Sequence, residues 1–110
     1  MVDSCTVKKI KPINVADFEG IEFIMKALSN KIRLAILEAL IENGELCACE
    51  LEISINLPQP TITLNLQRLY YSGLLKRREQ AKYTYFSIKE EFIPLIKNIL
   101  NIQTSAESMG

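Results

Sequence analysis

Apolar residues return at helical spacing in successive stretches of this 110-residue chain. Phe18, Ile21, Met25 and Leu28 recur every three or four positions, which predicts a helix over 16–28 with Asp17 as its cap. Ile32, Ala35, Ile36, Ala39 and Leu40 form the clearest stripe, over 30–43. Leu34, Leu37 and Ile41 widen it, as a central helix requires. Asn30 offers a capping side chain at its start and Gly44 a stop at its end. Ile62, Leu66 and Leu69 make an inward stripe over 58–72, with Pro60 in the first turn and Gly73 past the last. A final helix over 90–102 is apolar nearly all round, from Phe92 through Ile96 to Ile102. A terminal helix of that kind needs cover on more than one side, which predicts a homodimer.

The remaining segments carry other patterns. "LLKRRE" (74–79) and "KYTYFSI" (82–88) are rich in β-branched and aromatic residues around a "QA" bend, which predicts a β-hairpin. Residues 46–57 alternate apolar and polar in strand fashion, yet a helix would also stack Cys47, Leu51 and Ile55 on one face. Periodicity alone favours the strand there, without excluding the helix. Residues 1–15 read as an N-terminal arm, 16–102 as one folded domain and 103–110 as a frayed C-terminal tail.

Charge changes the picture locally, not globally. Thirteen Lys and Arg balance thirteen Asp and Glu, so no overall field argues for nucleic acid. The signs are segregated, however. From Leu34 to Pro58 every charge is acidic: Glu38, Glu42, Glu45, Glu50 and Glu52. From Gln59 to Ile88 Arg68, Lys76, Arg77, Arg78 and Lys82 face Glu79 alone. The basic stretch can meet phosphate even in a neutral chain. No apolar run approaches the ~20 residues of a membrane span, and residues 1–17 hold no long apolar core, which predicts a cytoplasmic protein without membrane contact.

A candidate DNA-reading constellation lies in that basic stretch. The helix over 58–72 carries Gln59, Thr61, Thr63 and Asn65 near its start. Amides can pair with adenine edges, and Thr can contact bases or phosphates. Arg68 follows on the same helix. Lys76, Arg77, Arg78, Gln80 and Lys82 then surround the hairpin bend, where they could lie along phosphates or the minor groove. Leu64 fits poorly, since it should face outward if Ile62 and Leu66 face in.

"ALSNKIRLAILEAL", "GELCACEL" and "LPQPTITLNLQRLYYSGLLKRREQAKYTYFSI" together resemble the ArsR/SmtB family of winged-helix repressors, over roughly residues 25–88. The resemblance implies a mainly α fold with a small β-hairpin, a winged helix-turn-helix that dimerises through its first and last helices. It implies a DNA-binding regulator released from a double-stranded operator by a metal or other inducer, and a helix over 48–55. Family members often carry histidine where this chain has Asn65, and glycine at the hairpin bend where it has Ala81.

An odd number of cysteines, three, without a secretory pattern, suits metal or redox chemistry better than a disulfide framework. Cys47 and Cys49 would point about 200° apart on a helix, whereas in extended chain they share a side. Chelation by both therefore favours an extended or unwound start to the helix. Cys5 could supply a third thiolate from the arm, and three thiolates suit arsenite, antimonite, cadmium or lead. Arsenite-sensing relatives carry a third cysteine where this chain has Glu52, while cadmium- or lead-sensing relatives draw cysteines from the N-terminal arm, which Cys5 resembles. No obligatory cofactor is expected. The rivals are a redox sensor joining Cys5 to one of the pair, a ligand-blind repressor and a winged-helix protein-interaction module. An enzyme is disfavoured, because the chain has no histidine, no Gly-rich phosphate loop and no Cys-x-x-Cys.

Overall fold

In a computed structural model, the backbone is described for residues 8–109 and the side chains for 8–103. A 3-10 turn, Val15–Phe18, leads into α1, Glu19–Leu28. Asn14, not Asp17, caps this entry: its side chain accepts from the Ala16 amide at 3.1 Å. α2 spans Lys31–Asn43. Asn30 caps it as expected, its Oδ1 accepting from Ile32 N at 2.9 Å and Arg33 N at 3.1 Å. β1, Leu46–Cys47, precedes α3, Ala48–Ile55, and α4 covers Gln59–Ser72. β2, Leu75–Gln80, and β3, Tyr83–Ile88, form the hairpin, and α5 runs Ile93–Met109 after a 3-10 turn at Glu90–Phe92.

The ambiguous 46–57 segment contains both of its readings. Leu46 and Cys47 pair antiparallel with Phe86 and Tyr85, so the alternation begins as a true strand. The chain then coils, and Asn56 ends α3 in the left-handed region at φ 62°. The sheet order is β1-β3-β2, with β3 central. β2 and β3 pair from Leu75↔Ile88 to Gln80↔Tyr83, which leaves Ala81 and Lys82 in the bend. Ala81 holds φ 55° there, a position that glycine occupies more cheaply.

Ile36, Leu37 and Leu40 of α2, Leu51 of α3 and Ile62, Leu66 and Leu69 of α4 form the core, closed by Leu74, Leu75, Phe86, Ile88 and Ile96. Burial of about ten such side chains at roughly 1.5–3 kcal/mol each is the main drive for assembling the helices on the sheet. The α1 stripe behaves differently from expectation. Leu28 is buried, but Phe18, Ile21 and Met25 are about half exposed, and Phe23 joins them. The last helix also outlasts its apolar pattern: the expected tail at 103–110 is helical through Met109. No helix among the described residues is long and apolar enough to cross a membrane.

Candidate nucleic-acid interface and thiol pair

α4 has a sharply divided surface. Ile62, Asn65, Leu66, Leu69 and Ser72 are buried, whereas Gln59, Pro60, Leu64, Gln67, Arg68 and Tyr71 are exposed. Thr61 and Thr63 lie half-buried at the margins. At about 100° per residue, Pro60, Leu64, Gln67 and Tyr71 fall on one narrow outward stripe. Gln67 on this stripe was not anticipated, although its spacing of four from Thr63 could have revealed it.

Asn65 corrects the sequence reading. It is 6% exposed and faces the protein. Its Oδ1 accepts from Arg33 Nη1 at 2.9 Å, and its Nδ2 donates to the Thr61 carbonyl at 2.9 Å. Arg33 also donates to the carbonyls of Ala27 at 2.5 Å and Lys26 at 3.3 Å. One guanidinium thus joins the end of α1 to the underside of α4. Burial, and then the charge of Arg68, hold the Arg33 pKa below its ordinary value. Asn65 is a strut in this arrangement and does not offer its amide to a groove.

The hairpin cations divide into groups. Arg78 is occupied: Nε and Nη2 donate to both Glu45 carboxylate oxygens at 2.8 and 2.7 Å, and Nη1 donates to Gln80 Oε1 at 2.5 Å. Its guanidinium also lies 4.9 Å from the Tyr85 ring centre. These bonds hold the Glu45 carboxyl below the usual range and raise the Arg78 pKa. Arg78 thus ties β2 to Glu45, just before β1, and Gln80 is bonded to Arg78 within β2; both side chains remain exposed. Neither Glu45 nor its partner could be matched from sequence, since they lie 33 residues apart. Arg77 stacks on Tyr70 at 4.3 Å, Lys82 sits 5.9 Å from the Tyr83 ring at the bend, and Lys76 is exposed on β2.

Cys47 and Cys49 differ in environment. Cys47 is 6% exposed and caps α3 with extended backbone (φ −94°, ψ 170°). Its amide donates to Glu50 Oε1 at 3.0 Å, while its side chain accepts from the Glu50 amide. Cys49 is exposed, and its Sγ contacts Gln59 Oε1 at 3.8 Å. Both thiols line a groove of about 320 Å³ whose other walls include Gln59, Thr63 and Gln67 of α4 and Arg77 and Lys82 of the hairpin. Sulfur donors and the candidate DNA contacts therefore share one cleft.

Two thiols suit a soft ion by donor type, and the extended backbone at Cys47 meets part of the geometric requirement. Cys5 lies outside the described residues, and among the described residues no group of three or more His, Cys, Asp or Glu is arranged to hold a metal.

Comparison with known proteins agrees with this architecture. The profile described as bacterial regulatory protein, arsR family, matches residues 30–77. An uncharacterized HTH-type transcriptional regulator of Methanocaldococcus jannaschii is 31% identical over 84 residues, 76% of this chain and 94% of the relative. The arsenic resistance transcriptional regulator ArsR2 of Pseudomonas putida is 31% identical over 85 residues, 77% of this chain and 74% of the relative. A solution structure of a homodimeric winged helix-turn-helix DNA-binding domain from Mycobacterium bovis superposes with a TM-score of 0.77, at 23% identity, covering 92% of this chain and 96% of that one.

Proposed function

The chain belongs to the arsR family of bacterial regulatory proteins, and on that premise we propose that it is a homodimeric repressor that grips operator DNA and lets go when its thiolates take up a soft ion. The first turns of α4 enter the major groove, where Gln59, Thr61, Thr63 and Gln67 meet base edges or phosphates. Arg68, Lys76, Arg77 and Lys82 supply the phosphate contacts that fix register.

The dimer is supported by what one copy leaves uncovered. Phe18, Ile21, Phe23 and Met25 of the α1 region and Ile102 of α5 are all about half exposed or more. The radius of gyration is 18.5 Å, against about 13 Å for a compact chain of this length. Pairing two copies through α1 and α5 buries these faces, and each copy then reads one half-site. Half-sites one helical turn apart or a multiple of it follow, at about 10–10.5 base pairs per turn.

The observation that carries the sensing reading is the shared groove of Cys47, Cys49 and Gln59. Cys47 and Cys49, with Cys5 as third ligand, hold arsenite, antimonite, cadmium or lead. Holding it costs Cys47 its capping bond and draws Cys49 off Gln59, which disturbs the first turn of α4. By linkage, an ion favouring the released form lowers DNA affinity. A shift from mostly bound to mostly free requires about 5.5 kcal/mol of difference, within reach of a multi-thiolate site. The arsenic-resistance name of the Pseudomonas relative supports a metalloid as inducer.

The test is a titration of reduced protein, bound to the duplex upstream of its own gene, with each ion in turn. Release of DNA with thiolate-to-metal absorption, both lost in Cys47→Ser and Cys49→Ser, supports the proposal. Unchanged DNA affinity with all four ions refutes release by metal, and if an oxidant also leaves affinity unchanged, a ligand-blind repressor is left.

A further inference from the structure

We infer that Leu64 reads the methyl group of a thymine in the major groove, an inference that rests on the DNA-binding reading of α4. Leu64 is 50% exposed in the second turn of the helix, at the centre of the outward stripe between Pro60 and Gln67. On that surface it has one apolar neighbour, the Pro60 ring, while Gln59, Thr63 and Gln67 are polar, and most of its exposed face is turned outward, uncovered by the described residues. A lone exposed leucine on an arbitrary surface needs no explanation. This one stands in the middle of the surface offered to base edges, where each side chain must meet a complementary group.

The chemistry restricts what that group is. An isobutyl side chain neither donates nor accepts a hydrogen bond. Against a guanine edge or an amino group it would strip water without replacing it, which is unfavourable. The major-groove edges carry one apolar feature, the C5-methyl of thymine. Leu64 therefore selects an A·T pair at its position, while the flanking Gln59 and Gln67 amides are suited to adenine edges. The predicted half-site is A·T-rich beneath the second turn of α4.

The full-length protein is used to select duplexes from a randomised pool. Affinities are then measured by fluorescence anisotropy on a selected duplex and on copies with single thymines replaced by deoxyuridine, which removes only the methyl. Wild-type protein is expected to lose about fourfold for a single replacement at one position of either half-site, the worth of one buried methyl-sized group. Leu64→Ala is expected to bind the thymine duplex about fourfold more weakly per half-site and to ignore that replacement. Wild-type protein indifferent to every deoxyuridine overturns the inference, and that series stands whatever the variant's stability. A Leu64→Ala protein that responds to deoxyuridine as strongly as wild type overturns it too. In both cases the DNA-binding reading survives. A pool that yields no bound duplex overturns both together.

Discussion

Arg33→Met removes the clamp beneath the reading helix while keeping an aliphatic stem in place. In the native protein Arg33 Nη1 donates to Asn65 Oδ1 at 2.9 Å, and Asn65 is buried. Removing the donor leaves that oxygen buried without a partner, which costs about 1–3 kcal/mol. The Lys26 and Ala27 carbonyls also lose a donor; the exposed Lys26 carbonyl turns to water, and the part-buried Ala27 carbonyl adds about 0.5–1 kcal/mol. The expected loss is about 1.5–4 kcal/mol, a large share of the ~5–15 kcal/mol that holds a domain folded. Urea unfolding by linear extrapolation measures it. A second substitution, Asn65→Leu, removes the orphaned acceptor. The double variant should therefore lose about 1–2 kcal/mol less than the two single losses combined. Single losses that add to within about 0.5 kcal/mol would mean that the two side chains are not coupled, and the strut would have to be abandoned.

Other expectations follow from the same geometry. Glu45 has a folded pKa held below its unfolded value, so its contribution is fully present above about pH 4.5 and fades as pH falls through the lower folded value. Glu45→Gln should therefore narrow the acid-side stability difference from wild type, as read by unfolding midpoints between pH 6 and pH 3, roughly the carboxylate titration range. A constant offset across that range would contradict the pairing with Arg78. Cys47→Ala should cost about 0.5–1 kcal/mol in thermal unfolding through the lost cap, and Cys47→Ser less, since serine is the better capping residue. Lys76→Ala and Lys82→Ala should each reduce the salt slope of DNA binding by about 0.9 per protomer, about 1.8 for the dimer, and Arg78→Ala much less, because Arg78 is tied to Glu45.

Much of this arrangement is legible in the chain, and the misses have specific physical causes. The stripes of α2 and α4 are decided by spacing, and burial follows them closely. Asn65 was misassigned although it sits three past Ile62 and four before Leu69, squarely in the inward stripe. Polar identity outweighed position there, and the partner that makes burial affordable, Arg33, lies 32 residues away. The Arg78–Glu45 pair was illegible for the same reason: a cation reads as a free phosphate contact until its carboxylate is located in space. The 46–57 ambiguity was a true one, since the segment changes from strand to helix at Cys47. The extra turns of α5 follow from Gln, Ala, Glu and Met, good helix formers that extend a helix without any apolar stripe to announce it.

The way α4 is held explains why a signal could act on its tip. The body of the helix is fixed by Ile62, Leu66 and Leu69, each 2% exposed or less, and by the Arg33–Asn65 strut. Displacing that body would open cavities costing several kcal/mol, which would offset most of the roughly 5.5 kcal/mol that the release needs. The first turn is held more lightly. Gln59 and Pro60 are exposed, Pro58 precedes the helix without a side-chain cap, and the Cys49 thiol touches Gln59 at 3.8 Å, a weak contact. Gln59 is also the residue aimed at the groove floor in the proposed complex. A change at Cys49 therefore acts on the part of the reading helix that is cheapest to move and dearest to DNA binding. Cys47 adds the second half of the lever, because its cap sets where α3 begins, and α3 packs against α4 through Leu51. A thiol pair placed anywhere along the buried middle of α4 would have to break the core to be felt.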